Sequence, residues 1–418
     1  MPNRIPSTNS CSMSFRKRLS ICYAAPGQNL LPSAGPTRNV LNLANALSEW
    51  ADVTVAFHSI REPVHTSKYN VIAIEPYETA STEIKDDNAT RGLHPFRHIS
   101  YCRRLRSFSE QQASSYDVVL EKGWRLSGYL LDGFRRRGVP GVLIENNVHF
   151  WSEPLTNLQG IAKYILHSAA HQVASRCSRR ASVVIAETQE MKTMLVEHRS
   201  LPPEQIEVVG LGVDHALFYP MDQQSARKSL KICPDATLLL YVGAMDEYHD
   251  LEPVIDALVV SGQPRVELHV VGDGEYRARC EEKAARVGLS ARFYGHILHP
   301  LVPQYIAAAD LCLAPYRTSA CHNGIVPFST LKIPEYLACG RPVASVPTGA
   351  IERLIEDGVS GFLFPNEVSA WSAFLRTLPS REQLGQMGVA AAQAVNALSW
   401  EKTASGYLQV CERLTKRI

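Results

Sequence analysis

The sequence contains no Cys-x-x-Cys pair, no apolar run approaching the ~18 residues that a membrane-spanning helix needs, and no long block of like charge. Each absence removes a class of protein. The ten cysteines lie scattered, several of them (Cys22, Cys280, Cys312, Cys339) inside apolar or helical stretches where a thiol behaves as a small hydrophobe. Neither a zinc module nor a disulfide framework is expected, and reduced thiols point to a cytoplasmic location. His171, His215 and His269 have no partner at metal-ligand spacing, so no metal ion is expected, and no other cofactor. A net charge of +2 offers no electrostatic footprint for nucleic acid.

What the chain does have is the composition of a globular protein that buries real cores, 45% hydrophobic and 20% charged. Its 418 residues exceed one ordinary domain, and two of roughly 200 residues fit the usual range. The excess of Lys and Arg falls in the first half, in Arg97, Arg103, Arg104 and Arg106 and in Arg135, Arg136 and Arg137. Such a face is either ordinary solvated surface or an attraction for an anionic acceptor or the inner face of a membrane. Residues 1–14 are small and polar, and Arg16-Lys17-Arg18 leads only into a short apolar run, the pattern of a first strand and not of a signal peptide.

Strand-like and helix-like patterns alternate throughout, which predicts an α/β fold with doubly wound parallel sheets. The first series of strands is expected at Leu19 to Ala25, Val53 to Phe57, Val71 to Ile74, Val118 to Leu120, Val142 to Ile144 and Val183 to Ala186. Thr37 to Glu49 carries apolar residues at helical spacing, with Pro36 suited to its first turn. Ser81 to Arg97 is expected as a surface loop and Ile99 to Gln111 as a basic helix. A polar, aperiodic run after Gly212-Val213-Asp214 predicts a hinge. A second series follows at Leu238 to Val242, Leu268 to Val271, Ala291 to Tyr294, Leu311 to Ala314 and Val343 to Val346, with helices at Glu275 to Arg286, Arg381 to Val395 and Trp400 to Arg413. The expected units are residues 15–212, residues 213–395, and a segment 396–418 that crosses back to the first.

The most informative stretch is Leu331-Lys332-Ile333-Pro334-Glu335-Tyr336-Leu337-Ala338-Cys339-Gly340-Arg341-Pro342-Val343, which sets a carboxylate one short helix ahead of a Gly-x-Pro turn and a buried strand. The strand before it ends at Pro315, so the segment opens at the carboxyl ends of strands, where open α/β sheets bind ligands. With Val270-Val271-Gly272-Asp273-Gly274 upstream and Gly349 and Gly361 downstream, it resembles the donor-binding half of family 4 glycosyltransferases, which have the GT-B fold of two Rossmann-like domains facing a central cleft. The resemblance is strong over residues 205–365 and diffuse over 60–160.

That resemblance implies roles residue by residue. Glu335 stands where the family carries the carboxylate that holds the nucleotide ribose. Eight residues earlier, Pro327 stands where a second Glu touches the donor sugar. Gly243, followed by Ala244, opens the motif in which relatives place an Arg and a Lys on the donor diphosphate. His249 occupies the Lys position, and one branch of the family uses His there. The same branch resembles Ser329-Thr330-Leu331-Lys332-Ile333-Pro334-Glu335-Tyr336, so Lys332 is expected as the fixed cation at the phosphates, with Ile333 beside it. Gly295, with His296 and Ile297, resembles the turn whose backbone reads the nucleobase.

In the first half, Gly35 follows a strand and precedes a helix, the position of a family loop that meets phosphate or sugar. Glu121-Lys122 and Glu145-Asn146 close two strands and resemble acceptor-side residues, although capping the following loops is an equal reading. No Asp-x-Asp triplet of the metal-dependent transferases is present. The resemblance thus implies metal-free, retaining transfer from a nucleotide sugar, UDP-linked before GDP-linked, to a small-molecule, lipid-linked or glycan acceptor. Lys332, His249 and Asn146 would be nearest the chemistry. Ala244 and Pro327 keep open a binding protein without turnover, and a nucleotide-sugar hydrolase or epimerase stands nearer.

Overall fold

The computed structural model describes residues 18–31, 35–75, 95–146, 158–263, 265–327 and 329–416. Among these residues, seven strands form one parallel sheet: β1 (Leu19–Leu30), β2 (Ala51–Ile60), β3 (Asn70–Ala73), β4 (Val118–Lys122), β5 (Gly141–Glu145), β6 (Val183–Ala186) and β7 (Ile206–Val208), in the order β3-β2-β1-β4-β5-β6-β7. Six more form a second: β8 (Thr237–Val242), β9 (Val266–Val271), β10 (Ala291–Gly295), β11 (Leu311–Ala314), β12 (Val343–Ser345) and β13 (Gly361–Leu363), in the order β10-β9-β8-β11-β12-β13. The central strands are apolar runs buried on both faces, Val183–Ala186 and Leu311–Ala314 completely, as parallel sheets covered by helices require. Strand order reverses between β1 and β4 in one sheet and between β8 and β11 in the other. Those two switch points are where loops diverge and leave room for a ligand.

The helices of the first half are α1 (Gly35–Leu47), α2 (Pro95–Gln112), α3 (Tyr129–Arg135), α4 (Leu158–Ser178) and α5 (Gln189–Arg199). Those of the second are α6 (Gln223–Leu230), α7 (Glu252–Ser261), α8 (Arg277–Arg286), α9 (Val302–Ala308), α10 (Lys332–Ala338), α11 (Ala350–Leu354), α12 (Val368–Arg376), α13 (Arg381–Val395) and α14 (Trp400–Thr415). The stripe Val40, Leu41, Leu43, Ala44 and Leu47 lays α1 on the first sheet. Three expectations shift. β1 continues through Pro26 to Leu30 with a register shift between Ala25 and Asn29. Helix α2 already begins at Pro95, while most of the expected loop lies outside the described residues. A third departure is an addition: β7, a three-residue edge strand too short to show a period, was not among the expected strands.

Helix α14 belongs in space to the first sheet. Ser399 caps it, and Trp400, Ala404, Tyr407, Val410 and Cys411 pack into the core that α1 shares with β1, β2 and β4. Its return is fixed at a seam: Val213 N–H donates to Leu398 O at 3.3 Å and Thr403 Oγ1 to Gly210 O at 2.9 Å. A Cβ on Gly212 would run into the backbone of Ser399 and Trp400, so glycine there lets the two chain crossings touch.

Candidate active site

The second sheet's switch point is built from two interlocked glycine turns. After β8, Gly243 (φ +145°) donates to Val271 O at 2.9 Å, and Met245 N–H donates to Asp273 O at 3.0 Å. The Gly272-Asp273-Gly274 turn packs so closely that a Cβ on Gly272 would overlap Gly243 O and one on Gly274 would overlap Met245 O. Helix α10 is tied to the same place by Tyr336, whose hydroxyl accepts from Val242 N–H at 2.6 Å and donates to Val242 O at 3.0 Å. Lys332 is thereby held above the turn: a Cβ on Gly243 would lie 2.7 Å from its Nζ.

Lys332 Nζ donates to the Tyr241 hydroxyl at 3.0 Å and lies 4.4 Å from the Tyr241 ring centroid and 5.5 Å from that of Tyr316. Burial pulls its pKa down to about 7, against Asp246 and Glu335, which pull it up. His249 sits beside Lys332. Asp246 turns the loop by accepting from Tyr248 N–H at 2.9 Å and His249 N–H at 3.2 Å, and its carboxylate takes His249 Nδ1–H at 2.7 Å. In a neutral ring that leaves Nε2 an acceptor, so His249 donates to a phosphate only when protonated. Burial and Lys332 hold its pKa down, and Asp246 opposes them.

Glu335, three residues along the helix from Lys332, has its carboxyl pKa raised by burial and held back by His299 and Arg38. His299 Nε2 lies 3.7 Å from Glu335 Oε1, and its ring meets Phe218 edge-on at 5.4 Å between centroids. Arg38, on α1 of the other sheet, acts on this carboxylate through its charge, and its buried Nε has no hydrogen-bond partner among the described residues. Neither residue stands out in sequence; the only hint for His299 is its closeness to His296-Ile297. Gly295 ends β10 at φ +69°, with Arg277 Nη1 only 2.8 Å from where a Cβ would be. His296 is exposed and Ile297 packs on the core below β8 and β11. Ile333 is buried in that core.

On the first sheet, three acceptor-side candidates turn inward. Glu121 is fully buried and accepts from Trp124 Nε1–H and Gly128 N–H at 2.8 Å and from Leu131 N–H at 2.9 Å. Burial pushes its pKa up to about 7 even so. It shapes the loop into α3. Lys122 pairs with buried Glu187 at 3.7 Å, and Glu145 pairs with Arg199, which also donates to Ser178 Oγ at 3.2 Å. Glu187 and Arg199 are remote in sequence from the strands they meet, whereas Glu121 is held by the loop that follows it. Asn146 follows β5 half-buried, and Gly35 starts α1 exposed, where a Cβ would meet nothing within 4 Å. The basic face of α2 and α3 is laced with carboxylates: Asp132 takes Arg135 and Arg136 at 3.0 and 2.8 Å, and Glu110 takes Arg106 and Arg137, both at 3.4 Å. Among the described residues, no helix is long and apolar enough to cross a membrane, and no three His, Cys, Asp or Glu side chains group to hold a metal ion.

Two doubly wound sheets, with a lysine, a histidine and a glutamate gathered at the second switch point, define the class: a GT-B protein. Sucrose-phosphate synthase from Thermosynechococcus elongatus superposes with a TM-score of 0.73 at 20% identity, over 96% of this chain and 100% of that one. HepE from Anabaena in complex with UDP-glucose gives 0.70 at 18% identity, over 94% and 100%. In sequence, residues 34–217 match the family described as Glycosyltransferase Family 4, and residues 236–380 that described as Glycosyl transferases group 1. A D-inositol 3-phosphate glycosyltransferase from Geodermatophilus obscurus is 29% identical over 326 residues, covering 72% of this chain and 67% of its own. One from Kribbella flavida is 29% identical over 342 residues, covering 75% and 74%. The chain belongs to the family 4 glycosyltransferases and is an enzyme of that kind.

Proposed function

We propose that the enzyme moves a sugar from a nucleotide-sugar donor bound at the second sheet to an acceptor held by the first, with retention of configuration. The observation that carries this reading is Lys332, seated over Gly243 where no side chain intervenes, with His249 beside it and Glu335 one helical turn on. Glu335 accepts from the ribose hydroxyls, and the Gly295 turn meets the base. As the bond from the sugar's anomeric carbon to the diphosphate breaks, negative charge grows on the leaving oxygen. Charged Lys332 and protonated His249 stabilise it. The acceptor hydroxyl attacks the same face, and its proton passes to a diphosphate oxygen. Asn146, at the end of β5, is the acceptor-side residue of this reading.

UDP-sugars are the first donors to test, since HepE binds UDP and UDP-glucose, with GDP-sugars second. D-inositol 3-phosphate, named in the curated relatives, is the first acceptor. A thermal-shift panel of nucleotide sugars, followed by acceptor-dependent release of nucleoside diphosphate and proton NMR of the product, tests the proposal. Retained anomeric configuration is expected. An inverted product overturns the stereochemistry, and no release from any nucleotide sugar overturns the function.

A further inference from the structure

The loop ahead of α10 is gripped from the other domain. Thr188, 4% exposed at the start of α5, accepts from Met191 N–H at 3.0 Å and donates its hydroxyl to Pro327 O at 2.5 Å. Two residues on, Glu190 takes both terminal nitrogens of Arg353 in α11, at 2.8 and 2.7 Å, a parallel two-bond pair that fixes orientation as well as distance. Gly349 (φ +57°) makes room for it: a Cβ there would lie 3.2 Å from Glu190 Cγ. Farther along α5, His198 Nε2 lies 3.1 Å from His322 Nε2. On its other side the same loop is held within its own domain by Thr348 Oγ1, 3.4 Å from both Val326 N and Gly324 O.

Residues 323–327 read Asn-Gly-Ile-Val-Pro and carry no charge. They lead into Lys332, five residues beyond Pro327. Apart from the Asn323 side-chain amide, whatever this loop gives a donor sugar comes from main-chain groups, and these are useful only where the loop is put. We propose that α5 of the first domain positions the donor-side loop, which makes Thr188, Glu190 and Arg353 positioning residues for sugar transfer. This rests on the reading that Lys332 and Glu335 hold the donor. It makes the acceptor domain part of the donor site, so that the loop is in place only while the two domains are engaged.

Charge reversal tests it. Glu190→Arg and Arg353→Glu each set like charges against each other at the rim of the clamp, and the double variant restores an opposite pair. Each single variant is expected to lower kcat at saturating donor about tenfold, because ångström-scale misplacement near reacting groups is costly, and to raise the share of donor lost to water. The double variant should return both readouts to within about threefold of the unmodified enzyme. Glu190→Gln and Arg353→Gln give the same direction, more weakly, if a reversal fails to fold. Hydrogen–deuterium exchange of residues 322–330 supplies an arm that needs no sugar: faster exchange in the single variants, normal exchange in the double. Single variants with unchanged exchange and kcat, or a double variant as impaired as the singles, overturn the clamp. An unmodified enzyme that turns over no nucleotide sugar overturns the functional reading instead, and exchange still decides the clamp.

Discussion

Burial pulls the Lys332 pKa down to about 7, because the Tyr241 and Tyr316 rings replace water that would solvate its charge. A diphosphate favours the charged form, so the lysine's pKa rises when donor binds and a proton is taken up. The sign follows: the Lys332 contribution to affinity for an intact nucleotide sugar is level below pH 7 and falls above it, by up to about tenfold per pH unit until the bound-state pKa is reached. Calorimetry in buffers of different ionisation enthalpy measures the uptake, and Lys332→Met should remove the lysine's share of it, leaving that of His249. Lys332→Ala should lower turnover about 100-fold, since one oriented donor at developing charge contributes ~3 kcal/mol; turnover within about threefold of the unmodified enzyme would pass the role to His249 or backbone amides. Glu335→Gln should weaken donor binding about tenfold or more, each charged bond to a ribose hydroxyl contributing ~1.5–3 kcal/mol, with the melting temperature nearly unchanged. Gly243, Lys332 and Glu335 were singled out in sequence by their resemblance to two family motifs, and the fold brings those two motifs together. That resemblance could not show that Lys122 and Glu145 are paired internally, because Glu187 and Arg199 come from distant parts of the chain, nor that Glu121 gathers its own following loop around itself. Arg38 and His299 were missed for the same reason, being brought to Glu335 by tertiary packing.

At the scale of elements, the sequence was readable wherever burial on both faces wrote a continuous apolar run, as in β6 and β11, or a helical stripe, as in α1. It was silent on β7 and loose on the ends of β1, where edge position and a register shift remove the pattern. The seam at Gly212 is an element-scale device, since it sets how closely the end of the first domain's sheet can approach the start of α14. Gly212→Ala should push the seam apart and destabilise the fold by about 1–3 kcal/mol or more, overpacking against backbone being hard to relieve. Denaturant unfolding of the variant checks this, and an unchanged midpoint would show that the seam yields at little cost.

For the whole molecule, the hydrogen bonds described between α5 and the second domain are polar contacts of the kind that domains make when they separate and rejoin. The free enzyme is expected to open, and small-angle scattering should show a smaller radius of gyration once a nucleotide sugar saturates it. An unchanged radius would count against closure. The return of α14 bears on a different matter, the order in which the protein is made. Trp400, Tyr407 and Val410 complete a core whose other walls come mainly from residues 21–185, yet they follow the entire second domain in the chain. A ribosome reading this message finishes the second Rossmann-like unit while the first still exposes the groove that α14 will fill. The domain begun first is completed last, and until then its greasy groove is bare to chaperones and to neighbouring nascent chains.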